Sequence, residues 1–428
     1  MSIASEITRI NNNIAAAYTA ANGKGATMPG TQNSANLATT ISSIPTGSTP
    51  NLQSKSVTIS TNTTTNITYD TGYDGLSSVS VTTTVPTAQT ITGYDVLFYD
   101  YDGTIVAGYT KAGFLALSSM PANPSHTGLT AQGWNWTLSA AQSFVTTYGK
   151  ADIGQIYTTT SGSSEFDIEL TPSTGLSVSF SMSGTKDWGD NTSDSTSSHT
   201  YANYGKYTIK CNATSLPSYV MGQSSTPDQK LVAVRLGGSI TTIGDSALFK
   251  CQSLTTLTIP NTVNTPNGNM FNGCRILKHV NIPSSLTYFS YGTFRDCLAL
   301  QHVSLPSTFT GFQGNYAFLN CYSLNRINFT SNIDLSYSNL FGGCYSLSEI
   351  IIPASVTSLV ANTFTSCYGI LLYDFTNATS VPTLGDTSVF YDINKVCKIV
   401  VPDSLYASWI TANKWADIAN YIYKASEV

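Results

Sequence analysis

Between residues 248 and 370 one heptad returns six times, as "LFKCQSL", "FNGCRIL", "FRDCLAL", "FLNCYSL", "FGGCYSL" and "FTSCYGI". Its cysteines, Cys251, Cys274, Cys297, Cys321, Cys344 and Cys367, are 23, 23, 24, 23 and 23 residues apart. Three positions before each stands Leu248, Phe271, Phe294, Phe318, Phe341 or Phe364; three after stands Leu254, Leu277, Leu300, Leu324, Leu347 or Ile370. An alternating run follows the first five heptads, "LTIP", "VNIP", "VSLP", "INFT" and "IIIP". Its inward positions are Leu257/Ile259, Val280/Ile282, Val303/Leu305, Ile327/Phe329 and Ile350/Ile352. One such unit cannot bury its apolar face alone. Stacked units share a core and a parallel sheet, so the period dictates a solenoid.

The spacing also ranks what the cysteines can be. Adjacent coils stack about 4.8 Å apart with equivalent side chains parallel, which is poor geometry for disulfides. Structural zinc sites use closely paired cysteines, and none occurs. The six are expected to be a column of reduced, inert thiols that pack as small hydrophobes. The pattern A-F-x-x-C-x-S-L-x-x-I-x-I-P-x-x-V over about residues 231–398 resembles the BspA-like leucine-rich repeat. In such a solenoid, function is expected on exposed positions.

Two exposed sets follow. Outward strand positions align as Thr256, His279, His302, Arg326 and Glu349, beside Thr258, Asn281, Ser304, Asn328 and Ile351. Of these, His279, Asn281, His302, Ser304, Arg326, Asn328 and Glu349 are candidate receptor contacts. Two neighbouring histidines without a carboxylate or thiolate are weak grounds for a metal, so no metal or cofactor is expected. The second set is Tyr322, Tyr345 and Tyr368, each directly after a repeat cysteine. Their rings suit a sugar or protein surface, or they shield the core edge; both readings stand.

Only 10% of residues are charged, against about 25% in typical soluble domains. Ser, Thr, Asn, Gly and Tyr are plentiful instead, and Thr and Tyr favour strands. A net charge of −5 with scattered Lys and Arg offers no basic patch, so no nucleic-acid partner is expected. No run approaches the ~18 apolar residues of a membrane span. The opening "MSIASEITRINNN" lacks the basic and then apolar segments of a secretory signal, and no C-terminal anchor is visible.

Ahead of the repeats, Ile7, Ile10, Ile14, Ala17 and Ala21 keep an a/d spacing over barely two heptads, too short for a stable lone coiled coil. Leu37, Ile41 and Ile44 offer a second short stripe. The uncharged "KSVTISTNTTTNITYDTGYDGLSSVSVTTTVPT" alternates Val/Ile with Thr/Ser and is expected to turn at "DTGYDG". These two segments resemble the N-terminal parts of phage tail and tail-fibre proteins from Gram-positive gut bacteria.

"VLFYDYDGTIV" matches the opening of the haloacid-dehalogenase phosphatases, with Asp100 as nucleophile and Asp102 as acid/base on Mg²⁺. The downstream Ser/Thr, Lys and acidic motifs of that family are missing, so a hairpin with an Asp-Gly turn is expected. The following "PANPSHTGLTAQGW" resembles the internalin-type B-repeat, a β-grasp-like spacer with a packed tryptophan, Trp134 or Trp136. "WGDN…HTYANYGKYTI", carried by Trp188, Gly189, Asp190, His199, Tyr201, Gly205 and Tyr207, resembles PKD-type sandwiches, with Asn191 in place of the usual Gly. Asp187, Asp190 and Asp194 could hold Ca²⁺, or cap backbone N–H groups as turn aspartates usually do. After "CKIVVP", Leu405, Trp409, Trp415, Ile418 and Ile422 keep helical spacing, with Asp403 or Ser404 as N-cap.

The expected fold is mainly β and multidomain. A helical attachment or oligomerisation segment covers 1–48, a polar β spacer 49–90 and a B-repeat-like module 91–162. A PKD/Ig-like module follows over 163–225, then the solenoid over 226–398 and a capping helix over 399–428. No nucleophile sits with a base and an orienting group, so a non-enzyme is expected. The resemblances imply a tail-fibre receptor-binding protein on the virion, made in the host cytoplasm without a signal peptide. Its expected partners are a host cell-surface glycan or protein, other tail or baseplate proteins and copies of itself, with a trimer as the usual fibre state. No membrane insertion is expected. A bacterial surface adhesin and a purely structural tail subunit are the alternatives.

Overall fold

The computed structural model describes residues 3–24, 26–29, 31–42, 52–59, 75–83, 93–221 and 226–428. They belong to two units, Met1–Thr92 and Gly93–Val428. In the first, helix α1 (Ile3–Gly23) pairs with α2 (Ser34–Ser42). Tyr18, Ala21 and Leu37 are buried, and the Tyr18 hydroxyl donates to the Asn33 carbonyl at 2.8 Å. Strands β1 (Leu52–Ile59) and β2 (Gly75–Thr83) run parallel, from Leu52 opposite Gly75 to Ile59 opposite Thr83. Parallel strands need a crossover, so the tight turn expected at "DTGYDG" does not join them as a hairpin. Residues 60–74 lie outside the described residues, as do the side chains of Ile7, Ile10 and Ile41 and all of Ile44.

In the second unit the solenoid closes each coil with two left-handed residues. One stands five positions before the repeat cysteine (Ser246, Asn269, Gly292, Tyr316, Asn339, Asn362), the other directly before it (Lys250, Gly273, Asp296, Asn320, Gly343, Ser366). All have φ between 52° and 79°. Positive φ favours Gly, Asn and Asp, which hold most of these positions. The turns aim the Phe and Cys side chains into the core. Phe271, Phe294, Phe318, Phe341 and Phe364 stack face to face, with ring centroids 5.2–5.5 Å apart.

The eight cysteines are free and buried. The repeat thiols also link coils. Cys274, Cys297, Cys321, Cys344 and Cys367 donate to the carbonyls of Leu248, Phe271, Phe294, Phe318 and Phe341 at 3.0–3.3 Å. Each acceptor lies three residues before the preceding coil's cysteine. Burial raises these thiol pKa values, that of Cys367 to about 12, which leaves little nucleophilic thiolate.

Residues 163–221 close the N-terminal end. Strand β7 (Ser164–Leu170) pairs antiparallel with Gly205–Cys211 on one side and with the first solenoid strand, Leu231–Arg235, on the other. Arg235 forks onto Asp167 at 2.7 and 2.8 Å across that junction. One apolar core runs from Phe166 to Ile422 without a break. The Trp188 motif folds as a local cluster. Its ring stacks on His199 (4.8 Å, 12°), and its carbonyl accepts from the Tyr201 hydroxyl at 2.9 Å. Asp187, Asp190 and Asp194 each accept from a backbone N–H two residues on, so their carboxylates serve turns.

At the other end the single amphipathic helix expected over 399–428 is corrected. Short helical turns, Asp403–Leu405, Tyr406–Trp409 and Ala416–Tyr421, are interrupted by left-handed Lys414. The chain then adds the strand Ile422–Lys424, parallel to Lys398–Val401. This break lets both Trp409 and Trp415 lie on the open core end, 5.3 and 5.7 Å from the Phe375 ring. Asp403 accepts from the Ser426 N–H instead of capping a helix start.

Cys321→Ala should lower the unfolding midpoint by the equivalent of about 1–3 kcal/mol, through a small cavity and the loss of the thiol's bond to the Phe294 carbonyl. Tyr322→Ala, one residue away on the surface, should change it by less than ~0.5 kcal/mol. Denaturant titration of the two variants checks the contrast.

Candidate functional site

Residues 93–160 fold as a four-stranded mixed sheet. Strands β3 (Val96–Tyr99) and β4 (Ile105–Tyr109) form a hairpin; β5 (Leu129–Trp134) and β6 (Ala151–Thr159) complete the order β4-β3-β6-β5. Helices α3 (Lys111–Leu115) and α4 (Leu138–Tyr148) cover one face, over Val96, Phe98, Phe114, Val145 and Ile153. Asp100 and Asp102 sit in the β3–β4 turn. The Asp102 carboxylate accepts from the Thr104 N–H (2.9 Å), and that of Asp100 from the Tyr101 N–H (2.8 Å) and lies 2.6 Å from His126 Nε2.

The other face of this sheet lies on the solenoid strands, and it covers the outward column. His279, Asn281, His302 and Ser304 are at most 6% exposed, and Arg326, Asn328 and Glu349 are half-buried. The expectation that these seven residues face solvent as receptor contacts is therefore corrected: they hold a neighbouring part of their own chain. Parallel pairing does set His279 opposite His302 and Asn281 opposite Ser304. The Tyr99 ring stacks on both imidazoles, 4.0 Å from His302 and 5.4 Å from His279. Asn281 Nδ2 donates to the carbonyls of Tyr99, Asp100 and Gln155. In return Asn135 Nδ2 donates to the carbonyls of Ile282 and Ser304, and Trp136 Nε1 to that of Leu305 at 2.7 Å. Gly154 is required here, because a Cβ would fall 2.4 Å from Asn281 Cγ.

Charge concentrates on Asp152. Its Oδ2 accepts from Arg326 Nε at 2.6 Å and Asn328 Nδ2 at 2.5 Å, with His302 Nε2 3.3 Å away. Burial pushes the Asp152 pKa up, but Arg326 and then His302 outweigh it and hold the carboxyl down at about 2. For His279, burial first and His302 second push the imidazole down to about 3, so it is neutral. Its Nε2 then donates to Asn281 Oδ1 (2.7 Å), and its Nδ1 accepts from His302 Nδ1 (3.2 Å). At the rim Lys150 pairs with Glu349 at 2.6 Å. Sequence reasoning passed over Tyr99, Asn135, Lys150, Asp152 and Gly154. Their one signal was an acid and a glycine in alternate positions of the apolar strand β6.

The tyrosine row is on the surface. Tyr322, Tyr345 and Tyr368 are 37%, 43% and 46% exposed, and their rings stack at 4.8 and 5.4 Å with tilts of 11° and 28°. Since the faces are turned to one another, the row offers ring edges and hydroxyls outward. Tyr368 donates to Asp392 at 2.8 Å, and Ser346 Oγ and Asn394 Nδ2 tie the backbone of Tyr322 and Tyr368 to the next coil. Among the described residues no cluster of His, Cys, Asp and Glu could hold a metal ion, and no helix is long and apolar enough to cross a membrane.

Gly154→Ala should detach β6 from the strand column while sparing both cores. Hydrogen exchange at residues 279–281 and 302–304 should accelerate, with little change at 341–370. Acid should loosen the same interface. A neutral His279 contributes fully above its ordinary pKa of 6.5 and loses about 1.4 kcal/mol per pH unit below it, down to a folded value of about 3. The Asp152 contribution is lost later, as pH falls from 3.8 towards 2. Between pH 7 and 4.5 the wild type should lose more thermal stability than His279→Gln.

A family described as "BspA type Leucine rich repeat region" matches residues 201–315 and 314–408, in six copies. The chain is similar to the solved leucine-rich repeat protein TpLRR of T. pallidum (22% identity, 41% of this chain and 81% of that one, TM-score 0.36). It is similar to one from Bacteroides ovatus (22% identity, 45% and 54%, TM-score 0.33). A leucine-rich cell surface protein from Faecalibacterium prausnitzii gives 20% identity, 41% and 59% coverage and a TM-score of 0.28. No curated protein matches the chain. Residues 201–408, just under half of the chain, match this BspA-type leucine-rich-repeat family.

Proposed function

We propose that the chain is an adhesion protein that binds a host cell surface through the tyrosine row of its solenoid, without catalysis. The exposed, regularly stacked Tyr322–Tyr345–Tyr368 series carries this reading. It repeats at the coil spacing on a rigid core, whereas the outward strand column is covered by residues 93–160. A row of edges and hydroxyls at one fixed interval suits an extended glycan or peptide whose own groups recur at a similar step. Each contact is weak, and several copies on one particle would make attachment avid.

In its finer form the proposal places the protein on a phage virion as a tail-fibre receptor-binding protein. What supports it is the resemblance of residues 5–22 and 55–87 to the N-terminal parts of tail proteins. That reading includes attachment to other tail or baseplate proteins through the N-terminal unit, assembly as a trimer, and the internalin- and PKD-like segments serving as spacers. The same solenoid surface would serve a bacterial surface adhesin equally well. Genes for tail and holin proteins beside this one would favour the virion, and a secretion locus the adhesin.

The fluorescently labelled full chain should bind intact cells of at least one strain in a panel of Gram-positive gut bacteria. Replacing Tyr322, Tyr345 and Tyr368 together by Ala should cut that binding by about tenfold or more while leaving the unfolding midpoint in place. A chain that binds no strain, or a triple variant that binds unchanged, would sink the reading.

A further inference from the structure

A second surface lies where α4 meets the solenoid. Ala140, Ser143, Phe144, Thr147 and Tyr148, on one face of the helix, join Trp136 to form one wall of a cleft of about 360 Å³. Ser307, Thr330 and Ser331 form the other. The aromatic floor is rigid. Trp136, Phe144 and Tyr148 pack ring against ring at 5.1 and 4.5 Å. Trp136 is pinned to the Leu305 carbonyl.

The repeat is broken at this place. Pro260, Pro283, Pro306 and Pro353 end the strand runs of four coils, and Thr330 stands at that position in the coil beside the cleft. That coil also keeps only a single bridge, Arg326 to His302, where its neighbours have three-residue strands. Thr330 is buried and its hydroxyl donates to the Phe309 carbonyl of the preceding coil, beside the helix.

We propose that the cleft binds a neutral carbohydrate the size of a mono- or disaccharide. No lining residue is charged, so an ionic ligand would lose its water shell without a counter-charge. A purely apolar ligand would dehydrate Ser143, Ser307 and Ser331, whose hydroxyls have no partner among the described residues. A sugar ring satisfies both demands: its C–H face lies on the half-buried Tyr148 ring, backed by the buried Trp136 and Phe144, and its hydroxyls meet the serines. The volume sits at the low end of the ~300–1,000 Å³ usual for small-molecule sites. This site is separate from the tyrosine row and does not depend on it.

The test uses the full chain, with saturation-transfer NMR and tryptophan fluorescence. The probes are glucose, galactose, N-acetylglucosamine and their β1,4-linked dimers, with glucuronate as a charged comparator. At least one neutral sugar should bind. Ser143→Trp and Ser331→Trp, which fill the cleft from opposite walls at exposed positions, should each weaken it by about tenfold or more. Tyr345→Ala should bind as the wild type does. The proposal is overturned if no neutral sugar binds or only glucuronate does. It is equally overturned if both Trp variants bind normally, or if Tyr345→Ala loses as much as they do.

Discussion

A stacked coil cannot satisfy itself. Its strand, its turn carbonyls and its apolar face all find partners in the next coil, so every coil is sound only while it has neighbours on both sides. The cysteine ladder shows this in miniature: each thiol reaches back to a carbonyl of the preceding coil, which also accepts the N–H of that coil's own cysteine. From this constraint the rest follows. The first coil is completed by β7, which extends the sheet in the antiparallel sense and shares the core. The last is completed by two tryptophans and an added strand.

The covered strand face is a different kind of junction. Apolar residues fill the layers on either side, but the layer between them is polar and wired residue by residue. Asn281 and Asn135 each reach across to backbone carbonyls of the opposite partner, and Asp152 accepts from side chains of the Arg326 coil, with His302 of the coil before it 3.3 Å away. Such a layer adds modest net stability, because removing charge and amides from water costs nearly as much as pairing them returns. Its strength is selectivity. A shift by one coil would leave Asp152 without Arg326 and move Gly154 off Asn281, the side chain packed against its Cα.

The solenoid was legible because its signal repeats; six imperfect copies reinforce one another, and the inward Leu, Ile and Phe positions are buried as spaced. The cysteines were read as buried and reduced, but their donor role depends on a carbonyl 26 or 27 residues away and carries no signature of its own. Most of the left-handed positions were written in the chain as Asn, Asp and Gly ahead of the cysteine, although Ser246, Lys250, Tyr316 and Ser366 break that habit. The covered face was illegible for a plainer reason. Its hydrogen bonds join residues as far apart in sequence as Asn281 and Gln155 (126 positions) or Lys150 and Glu349 (199), each made once, so no periodicity announces them. His279 and Asn281 look from sequence like any solvent-facing pair; only their partners make them interior. At the C-terminus the helical spacing of Leu405, Trp409 and Trp415 was real, but one left-handed lysine diverts the chain into a cap.

The 23-residue register has an evolutionary consequence. The sheet of residues 93–160 is fitted to particular coils, those carrying His279 through Glu349, and cannot follow a change in their number. A coil duplicated or lost beyond them would leave that fit intact and alter only how many tyrosines stand in line. Reach can thus be lengthened or shortened by gene slippage in whole steps, while the part of the molecule that must match side chain for side chain stays unchanged.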